Sequence, residues 1–295
     1  MQTHDQPGTA RLFFVLATAL FALSASAILV RQLPGLDATA IAWWRCLGTT
    51  LLLVPFLRPL SQEDAARVAF GGAALGLHFA AWFASLKLTT VMHATVLVCM
   101  TPAWVGLYEW RVGGAKLGTG FWGGLAASVL GVVLMTTDAG EQTSLWGDAL
   151  ALFASLLAMV FVLVGKEVRQ RVGIASYGGW LCASATLCLT PLVWLQGVTL
   201  TSVDTAQAGF LLLCVLGPQL IGHNGFNYAL RYLPATSVSS LLLLEPVGAT
   251  LLAMWFLGEH PEPIAGLGGT LVVLGVILAN RASISAAPEL PAVAS

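Results

Sequence analysis

Charge is what this chain has least of. Lys and Arg number 13 and Asp and Glu 14 in 295 residues, 9% in all, where a soluble domain carries roughly 25%. Hydrophobic residues make up 57%. A soluble fold of this length could not hide so much apolar surface, so lipid has to be the solvent. The net charge is −1, and without a basic patch nucleic-acid binding has no electrostatic footing. The five cysteines, at 46, 99, 182, 188 and 214, sit inside apolar stretches with no CxxC spacing. That excludes a disulfide framework and a cysteine metal site. There is no GxxxxGK[ST] loop to bring ATP drive, and no GxSxG or HExxH motif. No cofactor or metal is implied. Met1 to Ala10 lacks the layout of a signal peptide, and the apolar run that follows is too long for one.

That run reads as a first membrane helix, and the scarce charges punctuate nine more. A span needs about 20 largely uncharged residues. Arg11 and Arg31 bracket the first, and 38–57 is the second, with Arg45 inside it. Arg67 and Lys87 bracket the third, Lys87 and Glu109 the fourth, Lys116 and Asp138 the fifth. Asp148 and Lys166 enclose the sixth; 174–195, 206–230, 236–257 and 264–280 complete the set, with Glu245 inside the ninth.

The second half of the chain repeats the first. With Pro102 placed on Pro246, an offset of 144 (246 − 102), Leu86-Lys87 meets Leu230-Arg231 and Trp82 meets Phe226. Gly124 then meets Gly268, and Leu130-Gly131-Val132 meets Leu274-Gly275-Val276. Upstream, Trp44 meets Trp180 at an offset of 136, and Leu20-Phe21-Ala22 meets Leu152-Phe153-Ala154 at 132. The offset changes only between apolar blocks, where loops differ in length. Each half holds five spans, an odd number, so a copy that follows the first inserts upside down. The expected fold is an all-α polytopic membrane protein of ten transmembrane helices in two inverted five-helix repeats. These occupy 11–137 and 145–281, with cytoplasmic tails at 1–10 and 282–295.

Orientation follows from the cations in short loops. With the N-terminus inside, ten fall on the inner side: Arg11, Arg58, Arg67, Arg111, Lys116, Lys166, Arg169, Arg171, Arg231 and Arg281. Two, Arg31 and Lys87, fall outside, where the later loops carry Asp138, Glu141, Asp204, Glu259 and Glu262. Both termini are therefore expected in the cytoplasm.

Helices in lipid associate by close backbone approach. Gly72 and Gly76, Gly120 and Gly124, and Ala265 and Gly269 supply small-xxx-small steps in spans three, five and ten. Pro102 and Pro246 lie mid-span in four and nine, where a missing donor kinks a helix. They mark hinges or a cavity, or else bends tolerated by packing.

Polar groups at membrane depth are costly and default to function. Glu245 precedes the kink at Pro246 and can meet a solute amine, carry a proton or hold the bend. Gln219, His223 and Asn227 recur at i, i+4 and i+8 in span eight, one stripe of an α-helix, with Asn224 beside it. A hydrogen-bond network between helices is the competing explanation. His78 and Trp82 in span three, His93, Met100 and Trp104 in span four and Met159 in span six offer an aromatic, Met and His lining. Packing competes there too. Arg45, about two turns into its span, is placed to snorkel, hold a lipid phosphate or cap a neighbour.

Ten spans in two halves, Glu245-Pro246, Leu257-Gly258-Glu259, Gly268-Gly269 and Leu274-Gly275-Val276-Ile277-Leu278 resemble the drug/metabolite transporter superfamily. Within it the chain looks like an EamA-type bacterial exporter, with the YddG-like amino-acid exporters as the narrower likeness. The resemblance covers about residues 11 to 281. It implies efflux of small metabolites, often amino acids, from a bacterial inner membrane. It also implies a central cavity lined by spans one, three, four, six, eight and nine, a set that leaves out Arg45. Thr101-Pro102 stands where the second half has Glu245-Pro246, so two matched carboxylates are not available for coupling. The expected function is secondary export by alternating access, with a small-molecule substrate and membrane lipid as the partners. A passive facilitator or channel is the alternative. An intramembrane enzyme using His78, His93 and His223 is a further one, for which no catalytic motif is present.

Overall fold

The computed structural model describes residues 7–33, 35–89, 91–135, 144–201, 203–258 and 262–286. The described residues are helical, without a strand. In order they form α1 (Thr9–Ser24), α2 (Ser26–Arg31), α3 (Ala38–Leu53), α4 (Gln62–Leu88), α5 (Val91–Val98), α6 (Thr101–Arg111) and α7 (Thr119–Met135). There follow α8 (Leu145–Val168), α9 (Ile174–Leu195), α10 (Thr205–Cys214), a π-helical stretch (Val215–His223), α11 (Asn224–Ala229) and α12 (Ala235–Leu241). A 3-10 turn (Leu242–Leu244) leads into α13 (Glu245–Leu257), and α14 (Pro263–Ala286) closes the chain.

Eight helical stretches among the described residues are long and apolar enough to cross a membrane: Thr9–Val30, Ala38–Phe56, Gln62–Ser85, Leu145–Val168, Ile174–Leu195, Thr205–Ala229, Ala235–Phe256 and Pro263–Ser283. The apolar helix α7 is shorter. The fourth expected span is broken into α5 and α6. By length and composition the described residues thus give eight spans rather than ten.

Helix starts follow local chemistry. The side chains of Asp37, Ser61, Ser144 and Asp204 each accept a backbone N–H of the turn they precede, filling donors that a helix start leaves open. The prolines act as starts too. Pro102 and Pro246 are each the second residue of a helix, α6 and α13, where a missing N–H costs little. The expected kinks are therefore breaks with a restart. Thr101 Oγ1 bridges one break by donating to Val98 O at 2.9 Å.

Ion pairs among the described residues sort to the two ends of the bundle. At one end Arg67 pairs with Glu63 and Glu167, both at 2.7 Å, and Arg171 with Asp64 at 2.6 Å. Lys166 Nζ donates to Leu233 O there at 2.8 Å, and Arg169 Nε to Asn227 O at 3.1 Å. At the other end Lys87 pairs with Asp37 at 3.2 Å, and Thr89 Oγ1 donates to Asp148 at 2.7 Å. Cations assigned to one side by sequence thus share an end. Asp138, Glu141 and Glu259 lie outside the described residues.

Apolar side chains cover the outside as well as the inside. Phe13, Leu187 and Trp255 are 73%, 74% and 83% exposed, tolerable only against lipid. A core of Phe79, Phe161, Tyr177, Leu181 and Phe226 joins α4, α8, α9 and α11. A second core of Phe121, Leu125, Val132, Val272 and Val276 lies between α7 and α14. Backbones nearly touch along this second seam. A Cβ added to Gly124 would lie 2.5 Å from Gly275 O, and one added to Gly131 would lie 2.5 Å from Gly268 O. Gly72 approaches Leu181 O of α9 equally closely. Gly269, by contrast, has Met135 no nearer than 3.8 Å, so the Ala265–Gly269 step is not the tight one.

Gly131→Leu therefore has to push α7 off α14. Overpacking costs about 1–3 kcal/mol, and thermal unfolding in detergent should register the loss. Gly123 has nothing within 4 Å of an added Cβ, and Gly123→Leu should melt with the parent.

Candidate functional site

A cavity of about 720 Å³ lies between the helices and takes in residues from the middle of α3, α4 and α8. Its wall takes Ser26, Arg45, His78, Trp82 and Thr101 from the first half and Phe161, His223, Ser239, Glu245 and Thr250 from the second. The two helix breaks open onto it, since Thr101, Pro102, Leu242, Leu243, Glu245 and Pro246 all line it. Irregular backbone at membrane depth persists only where protein or a wet cavity covers it. Ser24 Oγ donates to Glu245 O at 3.3 Å and ties α1 to the start of α13.

One wall is aromatic. His78 stacks on Trp82 with centroids 6.2 Å apart, and the rings of Phe79 and Phe161 lie 5.3 Å and 5.8 Å from it. His223 meets Phe79 edge-on at 5.5 Å. The His78 Nδ1 position lies 2.9 Å from Ala154 O. A proton on Nδ1 makes this a hydrogen bond and leaves Nε2 as an acceptor.

The other wall carries charge. Arg45 is 1% exposed, so it does not snorkel. Its Nη2 donates to Gln219 Oε1 at 3.2 Å and its Nη1 to Ser26 Oγ at 3.4 Å. The guanidinium carbon lies 4.9 Å from the Phe79 centroid. Arg45 Nε has no partner. Glu245 lines the same cavity, and among the described residues no ion pair joins it to Arg45.

Of the residues singled out by sequence, His78, Trp82, His223, Glu245, Pro102 and Pro246 meet at this cavity. Met100, Trp104, Met159, Gln219, Asn224 and Asn227 are not on its wall. Trp104 Nε1 donates to Ser155 Oγ at 2.9 Å, which holds α6 to α8. Met159 packs against the larger core, and Asn224 lies against Gly178 of α9. Gln219 serves Arg45, while Asn227 sits where its carbonyl accepts from Arg169. The expected stripe of Gln219, His223 and Asn227 is thus split, because Val215–His223 is π-helical. A wider turn with i→i+5 bonds removes the register on which an i, i+4 stripe depends. The side chain of His93 lies outside the described residues.

Sequence reasoning placed Arg45 off the cavity; its guanidinium is on the wall. The available signal was that Arg45 and Glu245 are the two charges set well inside the apolar runs. Phe79 and Phe161 carried no such signal among so many apolar neighbours.

Helices fit to cross lipid, packed around a solute-sized chamber with polar groups at mid-depth, have the build of a membrane transporter. The chain belongs to the EamA-like transporter family, whose model matches it twice, over residues 10–137 and 145–281. It is thereby an EamA-type member of the drug/metabolite transporter superfamily. It is 27% identical over 272 residues to the threonine/homoserine exporter RhtA of Escherichia coli K12, covering 90% of this chain and 88% of that one. It is 28% identical over 195 residues to a probable terminal-alkyne amino-acid exporter of Streptantibioticus cattleyicolor, covering 64% and 63%. A solved crystal structure superposes with a TM-score of 0.79 at 15% identity, over 94% of this chain and 98% of its own. That likeness concerns the fold. The family and these relatives are transporters, not enzymes.

Gln219→Leu takes the better of two acceptors from a buried cation. A hydrogen bond to a charged group contributes about 1.5–3 kcal/mol, and the melting temperature should fall accordingly. Asn224→Leu leaves both Arg45 hydrogen bonds in place.

Proposed function

We propose that this chain is a secondary exporter working by alternating access through the mid-depth cavity. Its solutes are small metabolites, foremost amino acids with aromatic or other apolar side chains. The single observation that carries this reading is the chamber itself. It presents Arg45 and Glu245, unpaired with one another, beside an aromatic wall, in a chain of a transporter family. A zwitterion with an apolar side chain complements such a wall. The exporters of amino acids among the relatives support the same solute class. His78, Trp82, His223 and Glu245 are the proposed contacts.

The proposed architecture is ten membrane helices in two inverted halves, 11–137 and 145–281, with α5 and α6 as one broken span. The double match of the family model supports the duplication. The α7–α14 seam supports its symmetry. Gly124 abuts Gly275, Gly131 abuts Gly268, and Ser128 Oγ donates to Val272 O at 3.3 Å. At the offset of 144, the first pair exchanges into the second, and Ser128 faces its own mate (128 + 144 = 272). Such reciprocity is what a two-fold axis through the seam produces. We place the protein in a bacterial inner membrane with both termini cytoplasmic, on the ten-to-two division of loop cations.

The test is counterflow of labelled L-phenylalanine, L-leucine and L-threonine in proteoliposomes. Saturable uptake driven by the same solute inside is expected. Glu245→Gln loses a charge-assisted contact of about 1.5–3 kcal/mol, a fall of roughly ten- to a hundredfold. Asn227→Ala, off the wall, should keep its rate. Flux that neither saturates nor shows counterflow would instead mark a passive pore.

A further inference from the structure

We infer that Arg45 is the carboxylate-binding residue of the cavity, so that its ligands carry a free carboxylate as well as an amine. The inference deepens the exporter reading and rests on it.

A buried guanidinium offers five N–H donors and carries a full charge. Such a charge is strongly disfavoured in a membrane interior unless an opposite charge meets it. Arg45 is 1% exposed, yet no carboxylate of the described residues pairs with it. Its protein partners are two neutral oxygens, those of Gln219 and Ser26, at 3.2 Å and 3.4 Å. Both are long for bonds from a cation. Nε is buried without any partner. These contacts, with the Phe79 ring at 4.9 Å, hold the planar group in place without a carboxylate in contact with it. Glu245 lines the same chamber but makes no direct ion pair with Arg45. A cation and a carboxylate that line one cavity without direct contact complement a ligand that carries both charges. The forked geometry of guanidinium suits a carboxylate in particular.

A structural role competes with this, because Ser26 and Gln219 also tie α2 and the π-helical stretch to α3. The two roles differ in what they discriminate. An arginine that only braces helices affects every ligand alike. One that meets the carboxylate distinguishes an amino acid from its α-carboxamide, which keeps the amine and the side chain.

The full-length protein in lipid nanodiscs, titrated calorimetrically, tests this. L-phenylalanine, L-leucine and L-threonine are each compared with their α-carboxamides at a pH where both amines are protonated. The wild type should bind the tightest of the acids at least about tenfold better than its amide, the worth of one charge-assisted contact. Arg45→Gln should lower affinity for the acid by a similar factor and leave the amide's unchanged, and Arg45→Lys should restore part of the difference. The comparison of acid with amide needs no variant, so it stands even where Arg45→Gln fails to fold. Equal binding of acid and amide by the wild type overturns the assignment and leaves the exporter reading intact. So does an Arg45→Gln protein that loses both ligands equally. Binding of none of the three amino acids would overturn the assignment and the amino-acid reading together.

Discussion

A guanidinium that cannot reach water organises the middle of this molecule. Arg45 is half-way along α3, and lipid offers it nothing. It therefore points inward and takes Gln219 from the π-helical stretch, Ser26 from α2 and the face of Phe79 from α4. Four elements are held around one charge. The chamber lies on its flank.

The second constraint is the backbone. In lipid every N–H and C=O has to be satisfied within the protein, so helices break only where something else receives the freed groups. Both proline breaks occur against the chamber, with Thr101 and Ser24 hydroxyls supplying donors beside them. Where no break occurs, as along α7 and α14, glycines allow main chains to approach to van der Waals distance. Dispersion and close approach then hold the pair, since apolar burial contributes little between helices in lipid. The bundle is thus tight on one side and open in the middle for one physical reason. Space appears where side chains and helix breaks keep backbones apart, and vanishes where nothing larger than hydrogen intervenes.

Part of the chamber wall was legible before any coordinates. His78, Trp82, His223 and Glu245 stood out as groups lipid should reject, and each is on the chamber wall. Pro102 and Pro246 marked the two breaks. The residues that lie off the wall do so for reasons of register and direction. Gln219 and Asn227 were grouped with His223 by assuming 3.6 residues per turn, with Asn224 beside them, and nine π-helical residues remove that register. Trp104 and Met159 have the right chemistry and depth but face neighbouring helices, Trp104 toward Ser155. Depth is encoded along one helix; direction is set by what packs against it.

By itself the sequence determined the solvent, since 9% charge and 57% hydrophobic residues leave no soluble alternative. It also determined the all-helical class, the internal repetition and the small set of polar groups that lipid would expel. Those properties are local or additive, and composition and spacing carry them without knowledge of neighbours. Only the tertiary structure decided that Arg45 turns inward, that Arg45 and Glu245 share a chamber without pairing, and that the stripe on the eighth span is divided. Each depends on rotation about a helix axis and on contact between segments remote in the chain, Arg45 with Gln219 among them. Such contacts arise from packing the whole bundle.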